Sequence, residues 1–94
     1  MRVRWLKNAL KNLEAEAIFI AKDNPQAAAE MIAYVMHKVD ALCDFPAVGR
    51  IGRVQGTREL VINRYHFVIP YRVMDNELHI LRVFHSRRKL PLSW

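Results

Sequence analysis

Three segments in the second half of the sequence decide the fold: Gly56-Thr-Arg-Glu-Leu-Val-Ile, Tyr65-His-Phe-Val-Ile-Pro-Tyr-Arg-Val and Leu78-His-Ile-Leu-Arg-Val-Phe-His-Ser-Arg-Arg-Lys. β-Branched and aromatic residues are dense in each segment, which is typical of β-strands. Each segment also contains arginine or histidine, although a domain of 94 residues has few strand positions to spare for charge. Basic side chains repeated through a small sheet indicate a surface that binds an anionic partner.

The segments predict strands at about 57–63, 66–73 and 77–84, with a tight turn at Asp75-Asn76 between the last two. Side chains alternate between the two faces of a strand. One set from the middle strand should lie against helices: Phe67, Ile69, Tyr71 and Val73. The other set should face outward and form a largely basic surface: His66, Val68, Pro70 and Arg72. Because proline has no N–H to donate, we expect a bulge or a sheet edge at Pro70.

The first half of the sequence predicts one strand and two helices. Arg2-Val-Arg-Trp-Leu alternates basic and apolar residues, as a short strand does. Asn24 and Pro25 have the residue types of a helix N-cap and a first helical residue, so they separate the two helices. In each helix, apolar residues recur in steps of three and four, which places them on one face. They are Leu10, Leu13, Ala17, Ile20 and Ala21 in the first helix and Ala28, Ile32, Val35, Val39 and Leu42 in the second.

The predicted element order is therefore β-α-α-β-β-β in a single domain spanning residues 1–94. This is an α+β fold in which a helical hairpin packs on an antiparallel sheet. The second helix should end near Asp44-Phe45-Pro46, and the glycine-rich segment from Ala47 to Gly56 should form a loop. The N-terminal strand could pair with either the second or the fourth strand, and the sequence leaves this open.

The net positive charge lies entirely in the second half of the chain. Residues 1–49 contain six basic and six acidic residues, whereas residues 50–94 contain nine basic and three acidic ones. Eight of those nine are arginine, which can bind phosphate or carboxylate through two donors at once. The asymmetry favours a nucleic acid or an acidic protein as partner. A basic surface that only maintains solubility is the alternative.

Composition argues against several classes of protein. The apolar runs are far shorter than the roughly 20 residues needed to cross a bilayer, and no signal peptide is evident, so no membrane association is predicted. Cys43 is the only cysteine, which excludes an internal disulfide and makes a reducing cytoplasm the expected compartment. The four histidines lack the spacing of a metal site, so neither a metal nor a cofactor is expected.

Several motifs follow one another at defined spacings: the N-terminal strand and helical hairpin, Phe45-Pro46 before a Gly-Arg loop, Gly56-Thr57-Arg58-Glu59-Leu60, Tyr71-Arg72-Val73, and Ile80-Leu81-Arg82-Val83-Phe84-His85-Ser86-Arg87-Arg88. Any one of them is common, but the ordered set is fairly specific. Because of this ordered set of motifs, the chain resembles the RelE/ParE superfamily of bacterial type II toxin–antitoxin toxins over nearly its whole length.

The resemblance implies a cytoplasmic, growth-inhibiting toxin of the kind that serves plasmid stabilisation, held in a hetero-oligomer with a cognate antitoxin. We expect an exposed groove between the helices and the sheet to receive an extended or helical antitoxin segment. The resemblance also implies two alternative targets. RelE-like members cut messenger RNA on the ribosome, whereas ParE-like members act on DNA gyrase, and the fold alone cannot choose between them.

RNA cleavage needs a base, an acid and cations that stabilise the phosphate. RelE-like nucleases place an arginine early in the third strand, and here that position is Val68. Arg72 is on the same predicted face but about 13 Å farther along the strand. The catalytic residues implied for a ribonuclease are His85, as acid or base, with Arg87 and Arg88. A similar ending occurs in ParE-like sequences, and His85 could instead be a strand-end histidine hydrogen-bonded to the backbone.

The missing cation at Val68 favours the ParE-like alternative, in which the protein inhibits DNA gyrase, over ribosome-dependent RNA cleavage. The residues expected to bind the target are Arg50, Arg53, Arg58, Arg72, Arg87, Arg88, Lys89 and Trp94. Trp94 could instead be a hydrophobic plug over the sheet edge or part of a disordered end. Arg82 lies among apolar residues and is expected to be structural. A third alternative, a nucleic-acid-binding module unrelated to toxicity, explains the basic surface but not the ordered motifs.

Overall fold

The computed structural model describes residues 1–88 and 93–94. Its elements are β1 (Arg2–Trp5), α1 (Lys7–Ala21), α2 (Pro25–Ala41), β2 (Arg50–Ile51), β3 (Arg58–Ile62), a short 3-10 helix (Asn63–Tyr65), β4 (Phe67–Met74), β5 (Glu77–Ile80) and β6 (Phe84–His85). The two helices pack on one face of the sheet. The predicted α+β fold is confirmed, with two short strands, β2 and β6, in addition to the predicted order.

The start of α2 is set by local sequence signals, whereas the start of α1 lacks them. The side chain of Asn24 accepts the N–H of Ala27 at 3.1 Å, and Pro25 follows at the first helical position, as predicted. α1 begins after Leu6 without a side-chain cap and without an acidic residue in its first turn. Within residues 1–88 and 93–94, no helix is long and apolar enough to span a membrane.

β4 lies at the centre of the sheet. The strand order is β1-β5-β4-β3-β2, and β6 pairs with the start of β4. β3, β4 and β5 are antiparallel to one another, whereas β1 runs parallel to β5. The N-terminal strand therefore pairs with the fourth of the predicted strands, which settles the choice that the sequence left open.

The turn between β4 and β5 lies at the predicted position. Asp75 and Asn76 have φ angles of 54° and 58°, so both are in the left-handed region. A two-residue hairpin turn of this type needs positive φ at both central residues, and short polar side chains tolerate it better than other non-glycine residues do. The turn fixes the register in which Met74 lies opposite Glu77.

The core lies between the helices and the sheet face that contacts them, which we call the inner face. Its buried side chains come from both helices and from the central strands: Leu13, Met31, Val35, Val39, Phe67, Ile69, Tyr71, Leu78 and Ile80. The inward orientation predicted for Phe67, Ile69 and Tyr71 is confirmed. Val73 was assigned to the same set, but it is 49% exposed because it lies near the end of β4, beside the solvent-exposed turn.

The opposite side of β4 differs from the prediction. Val68 is only 2% exposed, and Pro70 is also buried, although both were expected to face solvent. Val68 lies between Val61 of β3 and Phe84 of β6, and Pro70 lies opposite Glu59, so each is flanked by side chains of neighbouring strands. The middle of this face is therefore a second buried layer rather than a basic surface.

Pro70 lies in the central strand, not at a sheet edge, and the irregularity it requires appears in the partner strand. The predicted strand at 77–84 is interrupted between β5 and β6, directly beside Pro70. There the N–H of Leu81 donates to the carbonyl of Pro70 at 2.9 Å. The interruption is consistent with the missing N–H of proline, which cannot complete a regular ladder.

Candidate functional site

Charged residues are set into the sheet face that points away from the helices, which we call the outer face. Glu59 on β3, Arg72 on β4 and His79 on β5 have side chains on this face. Cross-strand pairing places Arg4, His79 and Arg72 in one row. His79 is buried, its Nε2 lies 3.1 Å from a carboxylate oxygen of Glu77, and its Nδ1 has no hydrogen-bond partner in the described part of the chain.

The first group of arginines surrounds a buried carboxylate, and we call it the arginine–glutamate cluster. The Glu59 side chain is 2% exposed, so its charge must be compensated within the protein. Arg50 Nη2 lies 2.8 Å from one carboxylate oxygen, while Arg53 donates its backbone N–H and its Nε to the other, each at 3.0 Å. Arg53 thereby holds the segment between β2 and β3 against the sheet.

The pKa of Glu59 reflects this competition between burial and hydrogen bonding. Burial alone would raise the pKa, but hydrogen bonds from the side chain and backbone of Arg53 and from the side chain of Arg50 outweigh it, and the pKa is lowered. Glu59 therefore remains ionised at neutral pH. The charges of Arg50 and Arg53 are already partly compensated inside the molecule.

Tyr71 anchors the segment that leads into β2. Its hydroxyl accepts the N–H of Gly49 at 2.9 Å and donates to the carbonyl of Pro46 at 2.7 Å. A Cβ atom on Gly49 would collide with Tyr71 and with the backbone of Glu59, so this close approach requires glycine. Burial raises the pKa of Tyr71, although the Gly49 N–H and the Arg58 charge act in the opposite direction. Arg58 donates to the Gly49 carbonyl at 2.9 Å and so belongs to the same anchor.

Trp94 covers part of the outer face. Its indole N–H donates to the hydroxyl of Thr57 at 3.2 Å, and its carbonyl accepts the Nε–H of Arg82 at 2.8 Å. Its ring centroid lies 5.3 Å from that of Phe84 and 5.9 Å from the guanidinium carbon of Arg53. Trp94 thus occupies the plug position that the sequence analysis gave as an alternative, and it also borders the cavity described next.

The second group of basic residues lines a cavity of about 690 Å³ between the start of α1, β4, the turn before β3 and Trp94. We call it the outer-face cavity. Its described lining includes three cationic side chains, Lys7, Arg72 and Arg82, and no acidic residue. Arg72 Nε is buried and has no hydrogen-bond partner among the described residues. The arrangement can hold an anion.

The expected catalytic residues lie elsewhere, at the edge of the sheet next to α1. Arg88 Nη1 is 2.9 Å from a carboxylate oxygen of Glu16. The backbone N–H of Arg87 donates to His85 Nδ1 at 3.3 Å, so the neutral imidazole carries its proton on Nε2. The rings of His85 and His66 are 5.8 Å apart. His85 is thus hydrogen-bonded to the backbone at the end of a strand, and its role as an acid or base stays a prediction.

The helical hairpin has an apolar groove of about 470 Å³ on its exposed side, which we call the hairpin groove. It is lined by Leu10, Leu13, Glu14, Ala17, Ile18, Ala21, Ala28, Ile32 and Met36. Leu10 was expected on the core face of α1, but it is 46% exposed and belongs to this groove, as does Ile18 at 55%. A groove was expected between the helices and the sheet. There the described residues form two small clefts of about 180 and 200 Å³, beside α1 and β6.

Comparison with known proteins decides the family. Residues 3–90 match the family described as the ParE toxin of type II toxin-antitoxin system, parDE. The chain belongs to this ParE toxin family. The Y4kP protein of Sinorhizobium fredii is 42% identical over 90 residues, which cover 96% of this chain and 93% of the relative. Toxin RelE2 of Caulobacter vibrioides is 34% identical, with 93% and 97% of the two chains covered.

A solved structure of the chromosomal ParDE TA system from P. aeruginosa matches with a TM-score of 0.80 at 27% identity, covering 90% of this chain and 95% of that one. The ParE fold of the present chain is thus shared by a protein from a toxin–antitoxin system. Neither the family nor these relatives identify the cellular target.

In this ParE-family toxin, the residues expected to bind the target make different contacts, and their role in binding stays a prediction. Arg50 and Arg53 belong to the arginine–glutamate cluster, and Arg58 belongs to the anchor at Gly49. Arg72 and Trp94 meet at the outer-face cavity, whereas Arg87 and Arg88 lie beside α1. Lys89, the remaining candidate, lies outside the described residues.

Sequence reasoning missed three residues that organise these sites. The sequence did contain a signal for Glu59, because it is a carboxylate within a predicted strand, followed by apolar residues and preceded closely by three arginines. Lys7 and Arg82 border the outer-face cavity through tertiary packing, and no local motif marks them. Within residues 1–88 and 93–94, no three histidine, cysteine, aspartate or glutamate side chains are grouped as a metal site.

Proposed function

We propose that this ParE-family toxin stops growth by binding DNA gyrase, without covalent chemistry, and that a cognate antitoxin neutralises it. The observation that carries the choice of target is Val68. It is buried between Val61 and Phe84 at the position where RelE-like nucleases have an arginine. An isopropyl group offers no donor to a phosphate, so a residue that stabilises charge in RNA cleavage is missing. The match to the ParE family supports the same choice.

The hairpin groove is the proposed antitoxin site. An amphipathic antitoxin helix would bury its apolar stripe against Leu10, Ile18 and Ile32, side chains that otherwise leave apolar surface in contact with water. Association of toxin and antitoxin is also supported by the P. aeruginosa relative, which comes from a chromosomal ParDE TA system. The complex is then a hetero-oligomer held together mainly by apolar contact.

A charge placed in the hairpin groove tests this site. We expect Ile18→Glu to leave the toxin harmful to growth but to abolish relief by the antitoxin co-expressed from the neighbouring reading frame, because a carboxylate in an apolar interface is costly to desolvate. Gln26→Glu makes the same charge change at an exposed position of α2 outside the groove lining and should keep full relief. Equal relief in the two variants would contradict a role for the groove.

Gyrase binding is assigned to basic side chains rather than to a catalytic centre. The proposed contacts are Arg58, Arg72 and the Arg87–Arg88 pair, with Lys89 and Trp94. Charged contacts of this kind mainly speed association and weaken as salt screens them. Inhibition of supercoiling should therefore fall as ionic strength rises, and replacement of both Arg87 and Arg88 by glutamine should require more toxin for the same inhibition.

Ribosome-dependent RNA cleavage is the second candidate, favoured by the His66–His85 pair. The two rings lie 5.8 Å apart, close to Arg87 and Arg88, so an acid or base and two phosphate-binding groups are present in one region. One relative also bears the name Toxin RelE2. In this alternative His85 moves a proton and the arginines hold the phosphate.

Two assays with purified toxin decide between the candidates: DNA supercoiling by gyrase and cleavage of messenger RNA on translating ribosomes. We expect supercoiling to be inhibited and His85→Ala to inhibit it as well as the parent protein does. Cleavage of messenger RNA that falls by about 10²-fold or more in His85→Ala, with supercoiling unaffected by either protein, would overturn the gyrase proposal.

A further inference from the structure

The outer-face cavity gathers cationic side chains, and no acidic side chain of its described lining compensates their charge. Its described lining contains Lys7, Arg72 and Arg82 and no aspartate or glutamate. The first turn of α1, which forms one wall, also lacks an acidic residue and adds the positive end of a helix dipole. Like charges gathered in a partly enclosed space repel one another, and a bound anion would remove this repulsion.

The contrast with the other arginines makes this cavity distinctive. Arg50, Arg53 and Arg88 each lie within 3.0 Å of a carboxylate oxygen. Arg72 instead has a buried Nε without a partner in the described part of the chain, and Arg82 donates its Nε to the main-chain oxygen of Trp94 rather than to an aspartate or glutamate. Buried donors in folded proteins are normally satisfied, so an unpartnered guanidinium nitrogen beside a cavity indicates a missing acceptor.

The remaining walls indicate what accompanies the anion. Polar side chains of Asn8, Gln55 and Thr57 border the cavity, and apolar walls are formed by Leu6, Val54, Met74, Leu81 and Trp94. A volume of about 690 Å³ is within the range of about 300–1,000 Å³ found for small-molecule sites. The space therefore suits an anionic group attached to an organic portion, rather than a lone inorganic ion.

We propose that the outer-face cavity binds the terminal phosphate of a small phosphorylated molecule, a phosphomonoester or a diphosphate. A phosphomonoester carries about 1.5–2 negative charges at neutral pH and offers three acceptor oxygens, whereas a carboxylate or an internal phosphodiester carries only one charge. Three cations without an acidic neighbour match the higher charge better. The planar donors of Arg72 and Arg82 hold phosphate oxygens, Lys7 adds a point charge, and the apolar walls contact the organic portion.

The source of the phosphate is either a free nucleotide or the end of a nucleic-acid strand, and calorimetric titration separates them. The probes are pyrophosphate, AMP and ADP, with neutral adenosine as the negative control, and a short oligonucleotide carrying either a 5′-phosphate or a 5′-hydroxyl. We expect binding at one site per chain for ADP or pyrophosphate and none for adenosine. Preference for the 5′-phosphorylated oligonucleotide over both nucleotides assigns the site to a strand end.

Charge-matched variants test the location of the site. Arg72→Gln and Arg82→Gln should each weaken binding by at least about tenfold, and Lys7→Gln, at an exposed position, should weaken it less. Arg64→Gln removes the same charge from an exposed arginine that lies over Tyr34 and Tyr65 and outside the cavity lining, and it should bind like the parent protein. Circular dichroism checks that each variant is folded. If an arginine variant does not fold, Lys7→Gln still tests the location of the site.

Two results would overturn the proposal: no binding of any phosphate probe, or equal weakening in Arg64→Gln and the cavity variants, which would mean nonspecific attraction to a basic protein. The gyrase proposal is tested separately in the supercoiling assay. A toxin that inhibits gyrase but binds no phosphate probe would disprove only the phosphate site, and one that binds ADP but leaves gyrase active would disprove only the gyrase target.

Discussion

The arginine–glutamate cluster and the outer-face cavity show two different fates for arginines in one small domain. Arg50 and Arg53 share the buried carboxylate of Glu59 and hold a loop on the sheet. Arg72 and Arg82 border a cavity whose described lining has no aspartate or glutamate. The first pair is structural, and the second pair is available to an external anion.

This difference changes how the basic second half of the chain should be interpreted. The excess of six positive charges in residues 50–94 indicates an anionic partner, but it counts every arginine equally. An ion pair with a buried carboxylate engages a guanidinium even when most of its surface is exposed, as for Arg50, whose side chain is 52% exposed. Exposure alone therefore does not identify the arginines that bind a partner.

The largest expected effect comes from removing the charge at the centre of the arginine–glutamate cluster. Glu59→Gln should lower the free energy of unfolding by about 2–3 kcal/mol, because the donors of Arg53 and Arg50 lose an ionised acceptor. The loss stays below that of a fully buried pair, since the Arg53 and Arg50 side chains are 32% and 52% exposed. Urea denaturation measures it, and Glu14→Gln, at an exposed position of α1, should change it by less than about 0.5 kcal/mol.

The next effect is a pH dependence carried by the same carboxylate. Because the pKa of Glu59 in the folded protein is lowered from its ordinary value of 4.5, its contribution to stability is complete above that value and is lost as the pH falls through the folded-state pKa. Thermal unfolding at pH 6, 4.5 and 3 should therefore show the stability gap between the parent protein and Glu59→Gln narrowing toward acid.

A gap that stays constant down to pH 3 would mean that Glu59 is not held ionised by its arginines. Glu77 does not disturb this comparison. Its pKa is also lowered, chiefly by the hydrogen bond with His79, but Glu77 is present in both proteins and its contribution cancels.

Local signals in the sequence predicted most of the fold. Capping at Asn24, the Asp75-Asn76 turn and the alternation along β4 depend on neighbouring residues, and the structure confirms them at Ala27, at the two positive φ angles and at Phe67. An irregularity was expected at Pro70 itself. The structure shows it in the neighbouring strand, as the break between β5 and β6. A missing N–H disturbs the hydrogen bonding between the two paired strands, and not only the residue that lacks it.

The candidate site was less predictable because it depends on contacts between distant segments. The carbonyl of Trp94 meets Arg82, and its indole meets Thr57, 37 residues earlier in the chain. Likewise, Lys7 reaches the cavity only because β1 pairs with β5, the pairing that the sequence left open. Burial of Val68 also required a covered outer face, whereas strand alternation predicts only which side a residue faces.

The smallest effect gives the most direct comparison, since one substitution is made in each region. Arg53→Leu should destabilise the protein by about 1–2 kcal/mol, because Glu59 loses the side-chain donors of Arg53 while staying buried. Arg72→Leu should leave stability unchanged or raise it by up to about 1 kcal/mol, because it removes an unpartnered buried nitrogen and relieves repulsion in the outer-face cavity while retaining an apolar side chain. Urea denaturation in phosphate-free buffer measures both. Opposite signs support the distinction between structural and available arginines, whereas an equal loss in both variants would show that Arg72 is compensated within the protein after all.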